Sequence, residues 1–492
     1  MPSAIPLALL VLAADPRLSA SLATDLVTLG DFPLDELGTP LDRTAYLDAR
    51  LRLRFEAETG AWRWRGELDV VDGQIAGGLS SIGLVLGADT FDRRRDRLDG
   101  PFAFTPRELR VEVDTPLGRL SLGQDVPTWG LGMLVNGGRE EAEFGRARGG
   151  NSVSRVAFAT RPLAGLEAPR LVRELIVAAA GDLVFRDDQA FIALGDLAGG
   201  ASVALFGADA ETSLGVLSAF RGQRDRALPS DPGGARRTLD VFIVDAFARQ
   251  QVLGDASSTV GLELGLEGAM TLGHTDRLVV EATAASGASI RGLGALARAE
   301  LRVGDALHAR LEAGLASGDD DPYDATVRTF AFNTAHPVGL VLFSQVLPMI
   351  TARAADRLAS PDLRDLAPPG LRSAVNQGTV SGARYLYPSV RIQVFAPLEL
   401  RLGYLLAGTT GAFADVYQSA RAGGYAAAPG GGRGGPARLG HELLAGLRLR
   451  LPLDPVTVLV GLDAAAFLPG PTLAAIGIDT VGLVRTAFQL EL

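Results

Sequence analysis

The sequence contains no cysteine, which excludes disulfides, thiolate nucleophiles and cysteine-based metal sites. It contains no lysine either: its 47 Lys+Arg positions are all arginine, a bias read here as genomic base composition. The four histidines, His274, His308, His336 and His441, are scattered, with no H-E-x-x-H, G-x-S-x-G or zinc-ligand spacing. No run of 18 apolar residues occurs, so no transmembrane helix is expected. Charged residues make up 21% of the chain and the net charge is -10, which argues against a nucleic-acid partner. Carboxylates are plentiful, but they alternate with arginine along strand-like rows. They do not stand as the placed pair that glycoside cleavage needs, and no catalytic residue or enzymatic activity is assigned.

What is present is period-two alternation, the mark of a strand with two different faces. From Tyr46, the even positions Asp48, Arg50, Arg52, Arg54, Glu56 and Glu58 are ionisable, and the odd positions Leu47, Ala49, Leu51, Leu53, Phe55 and Ala57 are apolar. After the turn Thr59-Gly60-Ala61 the pattern resumes, with Arg63, Arg65, Glu67 and Asp69 against Trp62, Trp64, Leu68 and Val70. Two such runs across a short turn read as an antiparallel hairpin. A transmembrane strand needs about 9–11 residues with one apolar and one wet face. An arginine on lipid at mid-membrane costs roughly 2–4 kcal/mol, so three on one strand would cost on the order of 6–12 kcal/mol. In a barrel, therefore, Arg50, Arg52 and Arg54 face the interior.

The pattern recurs. Glu108, Arg110, Glu112 and Asp114 oppose Leu109, Val111 and Val113, and Arg119 opposes Leu120. Arg298, Glu300 and Arg302 oppose Ala299 and Leu301, and His308, Arg310 and Glu312 oppose Ala309 and Leu311. Glu442, Arg448 and Arg450 oppose Leu443, Leu447 and Leu449. With weaker runs between them, the tally is about 18 strands, within the range of bacterial outer-membrane barrels. Val484, Phe488, Leu490 and Leu492 alternate and provide a final strand.

The expected fold is all-β: a single transmembrane antiparallel barrel over residues 46–492, with long connections at 319–377 and 409–438. Residues 1–20 are read as a signal peptide around the apolar stretch Ala4 to Ala14, although a basic n-region is missing. Residues 21–45 are read as a periplasmic N-terminal segment. Within the first connection, Ser344 to Arg364 is the best helical stretch, with Val346, Leu347 and Ile350 at helical spacing. It could fold inward as a constriction, cap the barrel, or form a solvated loop. The second connection carries Gly430-Gly431-Gly432-Arg433-Gly434-Gly435-Pro436, flexible low-complexity sequence without the residues of a phosphate loop.

The pore-lining residues read from this pattern are Asp48, Arg50, Arg52, Arg54 and Glu56; Arg63, Arg65, Glu67 and Asp69; Arg110, Glu112 and Arg119; Arg298, Glu300 and Arg302; Arg310 and Glu312; and Arg448 and Arg450. Their signs are nearly balanced, so charge alone does not set anion selectivity. Asp319, Asp320, Asp321 and Asp324 are the candidate calcium ligands, although their spacing is not that of an EF-hand and fits a polar turn before Pro322 better. No other cofactor is expected.

Several segments resemble the alginate-export type of outer-membrane barrel. They are Leu117-Gly118-Arg119-Leu120-Ser121-Leu122-Gly123-Gln124-Asp125 with Trp129-Gly130-Leu131-Gly132, Gly195-Asp196, Ala316-Ser317-Gly318-Asp319-Asp320-Asp321-Pro322, and Leu439-Gly440-His441-Glu442-Leu443 with Phe467-Leu468-Pro469-Gly470. The resemblance implies a monomeric barrel that conducts polysaccharide or other solutes across the bacterial outer membrane. The partners it implies are outer-membrane lipid, a polysaccharide or small charged solute, and periplasmic export components. The reading is thus a passive outer-membrane channel. Its rivals are a closed barrel acting as scaffold or receptor for periplasmic partners, a barrel-embedded enzyme, and a secreted soluble carbohydrate-binding β-protein.

Overall fold

The computed structural model describes residues 16–77, 105–147, 150–226, 236–255, 258–277, 287–321, 324–360, 363, 376 and 378–492. Most of the chain is antiparallel strand. The first nine strands are β1 (Arg17–Leu29), β2 (Ala45–Thr59), β3 (Trp62–Gly77), β4 (Thr105–Thr115), β5 (Gly118–Asp125), β6 (Ser152–Thr160), β7 (Ile176–Arg186), β8 (Leu197–Ala208) and β9 (Thr212–Arg224). The remaining nine are β10 (Thr238–Leu253), β11 (Val260–Thr275), β12 (Ala288–Val303), β13 (Leu307–Ala316), β14 (Ala383–Phe395), β15 (Leu398–Thr409), β16 (Arg438–Leu453), β17 (Val456–Pro469) and β18 (Val481–Glu491). Each pairs with its chain neighbours, and β1 pairs with both β2 and β18, so the sheet closes on itself. A further two-residue strand, Thr326–Val327, lies parallel to the start of β12. The fold is a closed 18-stranded antiparallel barrel.

The wall departs from the sequence reading at its beginning. Residues 21–45 are not a segment outside the barrel, because Arg17–Leu29 is the closing strand. Its alternation carries a single lumen acid, Asp25, between Ala23 and Val27, so no charged row marked it. Arg17–Ala20, placed in the signal peptide by the sequence reading, belong to this strand too. Residues 1–15, the rest of that segment, lie outside the described residues.

The two ends of the barrel differ. At one end the strands are joined by short turns, as at 60–61, 116–117, 209–211, 304–306, 396–397 and 454–455. The exception there is 161–175, which carries the one-turn helix Arg170–Arg173. At the other end the connections are long: 30–44, 126–151, 225–237, 317–382, 410–437 and 470–480 among them. Short turns on the periplasmic side and long loops outside are the habit of outer-membrane barrels.

The outer surface is apolar. Leu26, Leu53, Leu109, Phe158, Val203, Phe220, Leu266, Leu293, Leu402, Leu447 and Phe488 are all exposed on it. Exposed leucine repeated around a wall contradicts a soluble surface, where large apolar patches are rare, and matches a face in contact with hydrocarbon. Trp62 and Trp64 stack at the short-turn end with centroids 6.1 Å apart, where interfacial aromatics belong.

The hydrophobic core lies inside the barrel, in its long-loop half. Inward residues of the wall such as Val27, Tyr46, Leu296, Tyr385, Leu405 and Phe467 pack there against loop residues Leu131, Met133, Phe144, Phe332, Val341, Phe343 and Met349. The helix α1 (Leu347–Arg357), entered through a wider helical turn at Leu342–Val346, sits in this core. Of the alternatives read from the sequence for this stretch, the inward-folded segment is the one observed. A short helix α2 (Val416–Arg421) packs against its far end through Tyr417 and Ala420.

Candidate solute path

Register fixes which side chains face the interior. In β2 and β3 the pairs Arg52↔Asp69, Arg54↔Glu67, Glu56↔Arg65 and Glu58↔Arg63 stand opposite each other. Their apolar neighbours point the other way, since successive side chains alternate. The same parity carries across β4 and β5, where Arg65 faces Arg110 and Asp114 faces Arg119. On β12 and β13, Arg298 faces Glu312, Glu300 faces Arg310, and Arg302 faces His308. On β16, Arg448 and Arg450 share the inward parity of the buried Glu442. Every residue expected to line the pore therefore stands on the inward register.

These charges are not equivalent, because many neutralise one another. Arg52 makes a two-point contact with Asp69 at 2.6 and 2.8 Å, and all three of Arg52, Asp69 and Glu67 are buried. Glu67 also receives Arg54 at 2.8 Å and Arg107 at 3.0 Å. Arg298 reaches Glu312 at 2.9 Å, and Arg310 reaches Glu300 at 2.8 Å. Arg448 meets Asp463 at 2.8 Å. By contrast the side chains of Arg54, Arg119 and Arg450 are 47%, 46% and 65% exposed, and that of Arg65 is 38% exposed. These four reach solvent, although Arg54 still holds Glu67 at 2.8 Å and Arg119 holds Asp114 at 2.7 Å, while the buried pairs brace the wall.

Among the described residues, the connections 126–151 and 317–382 fold into the barrel and narrow it. The first, 126–151, leaves β5 and touches the wall at widely separated strands. Trp129 Nε1 donates to Asp245 on β10 at 3.1 Å, and the Leu131 amide donates to Glu267 on β11. Arg139 bonds Glu108 on β4, and Arg146 bonds Asp25 on β1. Glu143 takes both ends of Arg391 on β14 at 2.8 and 2.7 Å and Arg310 on β13 at 3.1 Å. Glu141 takes Arg401 on β15 at 2.8 Å. A segment bound to β1, β4, β10, β11 and β13–β15 crosses the interior. Burial pushes the Glu143 carboxyl up, but the hydrogen bonds from Arg391 and the charges of Arg310 and Arg401 outweigh it and hold it below the usual carboxylate range.

The second connection, 317–382, brings in α1. Its entry turn is pinned by Glu442 of β16, whose carboxylate accepts the amides of Leu340 at 2.5 Å, Val341 at 3.1 Å and Leu342 at 3.0 Å. The outer end of α1 is tied to connection 30–44, where Arg353 reaches Asp35 at 2.8 Å and Arg357 takes Glu36 at 2.8 Å twice, and to α2, where Arg357 stacks on Tyr417 at 3.8 Å. The Glu36 carboxyl is held below its usual range, first by the hydrogen bond from Arg357.

Inward glycines make room for the loop aromatics. A Cβ on Gly215 would sit 2.8 Å from Trp129, one on Gly294 2.3 Å from Phe330, and one on Gly403 2.8 Å from Phe144. Each glycine is a lumen position whose missing side chain admits a ring from a loop.

Sequence reasoning missed the loop half of this site: Arg139, Glu141, Glu143 and Arg146, and their wall partners Asp25, Arg391 and Arg401. The wall partners carry the inward parity of their strands, a usable signal; the loop residues carry no periodicity that says they turn inward. The acidic cluster is placed at the mouth. Arg328 lies between two of its members, 3.3 Å from Asp319 and 2.9 Å from Asp324, while Asp320 and Asp321 are exposed. A guanidinium there already supplies positive charge, and among the described residues no group of three or more such ligands is set for a metal ion.

No family model matches the chain, and no curated protein matches it in sequence. Among solved structures it is similar to OpdK, an outer membrane protein of Pseudomonas aeruginosa, in its structure with vanillate, with TM-score 0.50 and 11% identity over 97% of this chain and 98% of that one. It is similar to Pseudomonas aeruginosa OpdQ with TM-score 0.50 and 8% identity over the same shares. At such identities the likeness is one of architecture, and neither neighbour is of the alginate-export type. With its apolar exterior and charged interior, this chain has the fold of an outer-membrane porin barrel.

Proposed function

We propose that the chain is a passive outer-membrane channel for small charged solutes. The observation that carries this reading is the pairing of an apolar outer wall with a charged inner wall that two connections cross. A lumen crossed by a loop bound to opposite walls suits a small solute better than a polymer chain. Arg54, Arg65, Arg119 and Arg450, well-exposed cations of the inner wall, contribute to the field that an anion meets. OpdK, a similar barrel, has been solved with vanillate, a small aromatic carboxylate, and a solute of that size and charge is a sensible first probe here. No bond is made or broken in this function.

The test is conductance of the purified barrel in a planar bilayer, followed by swelling of liposomes in small carboxylates, neutral sugars and oligouronates of graded length. Discrete channels with faster entry of small carboxylates than of oligouronates support the proposal. Entry of long oligouronates would instead support polysaccharide passage, and absence of conductance would leave a closed scaffold.

A further inference from the structure

Arginines of the wall fall into two populations. Those on the inward register mostly pair with carboxylates. Four exposed arginines stand on the outward register: Arg224, Arg291, Arg384 and Arg438. Their orientation follows from their neighbours, since Gln223, Tyr385 and Leu439 are buried inside and Gly292 packs near Phe330. None of the four makes an ion pair among the described residues, and each lies at the long-loop end of its strand. Among the described residues no strand carries an outward arginine at the short-turn end.

Arg384 and Arg438 form the densest part of this set. Arg384 pairs in register with Gly408, and Gly408 with Arg438, so they flank one glycine across three adjacent strands. Strands two apart are separated by about 10 Å, within joint reach of two arginine side chains. The Arg384 side chain lies over that glycine: its Nε is 4.0 Å from where a Cβ on Gly408 would be. Arg438 faces outward only because the ladder shifts register there. Gly440, at φ 140°, takes up the shift, turning Leu439 into the core and Arg438 away from it. Beneath the pair on the same face, the Tyr404 hydroxyl bonds His441 Nδ1, a polar aromatic step that marks the membrane interface.

An outward arginine is costly at mid-membrane and nearly free at the interface, where it meets lipid headgroups. Two unpaired guanidiniums side by side there match a phosphate, which accepts their forked hydrogen bonds. Their confinement to the long-loop rim selects the leaflet. We propose that Arg384 and Arg438 form a binding site on the outer wall for the phosphate groups of an outer-leaflet glycolipid. The inference rests on the barrel spanning the membrane and is independent of what passes through it.

Native mass spectrometry of the detergent-solubilised barrel tests it, with bisphosphorylated lipid A, its dephosphorylated form and inorganic phosphate as probes. The phosphorylated lipid binds the native barrel, and the double variant Arg384→Ala/Arg438→Ala binds it roughly tenfold or more weakly. Arg450→Gln, in the lumen, binds it as the native barrel does. Heat-modifiable gel mobility confirms that each variant is folded, and bilayer conductance of the double variant matches the native channel. Equal binding of the two lipid A forms, or an unchanged affinity in the folded double variant, would overturn the site. Displacement of the lipid by millimolar inorganic phosphate would reassign it to free phosphate.

Discussion

Residues 338–358 and 138–147, both folded into the barrel, are held by different physics. Residues 338–358 sit in an apolar core, with one carboxylate, Glu442, closing the amides of the entry turn. Residues 138–147 are held mainly by ion pairs to distant strands: Arg139 to Glu108, Glu141 to Arg401, Glu143 to Arg391 and Arg310, Arg146 to Asp25. An apolar anchor is non-directional and tolerant of small displacement. A set of forked ion pairs fixes position closely but fails when one partner is lost. The apolar-anchored residues 338–358 therefore set how much of the lumen is filled, and the ion-paired residues 138–147 set where charges stand in the remaining space.

The largest expected effect is at Glu442. Its removal leaves three buried amides without an acceptor, at about 1–3 kcal/mol each. Glu442→Ala should free the entry turn, expose 340–357 to protease and raise single-channel conductance. Glu442→Gln, which keeps one acceptor oxygen, should do so less. Native protease resistance in Glu442→Ala would show that apolar packing alone holds the segment.

Arg391→Ala comes next. It leaves Glu143 buried with Arg310 as its remaining close partner, and breaking a buried pair costs about 3–5 kcal/mol. The expected outcome is larger current fluctuation with 340–357 still protected. If both segments become protease-sensitive together, they form one unit and the contrast between them fails.

How much of this could be read from the chain depends on where the information lies. The barrel was legible because lipid on one side and water on the other impose a two-residue period, and rows such as Arg50–Arg52–Arg54 make that period unmistakable. β1 was missed because Ala23, Asp25 and Val27 give it one charge. The inward course of 126–151 was not legible, since its partners Asp25, Glu108, Arg391 and Arg401 are dispersed from one end of the sequence to the other. Its best clue is indirect: glycines such as Gly215 and Gly403 at lumen positions, where a strand has no local reason to lack a side chain.

Exposed lumen charges sharpen the contrast at smaller cost. Arg65 and Arg450 are well exposed and stand 3.8 Å from their nearest carboxylates, so replacing each with Glu should change stability within about 0.5 kcal/mol. Reversal potentials in a salt gradient should nevertheless move toward cation selectivity, because the net charge of the path shifts by four units (two positions, two units each). An unmoved reversal potential would place the ion path away from these strands.

The smallest effect expected is that of pH on the 138–147 segment. The folded-state pKa of Glu143 lies below its unfolded value, so its contribution is fully present above the ordinary carboxylate range, around pH 4.3, and is lost as pH falls through the folded value. Between neutrality and pH 5 the anchor should hold; only in stronger acid should Glu143 take a proton and release Arg391. Current fluctuation recorded against pH should therefore be flat and then rise at the acid end. Glu143→Gln should remove that rise, because an amide has no proton to gain. A rise already present near pH 6 would mean that a group other than Glu143 governs the segment, and ion pairing at Arg391 would then not be what positions it.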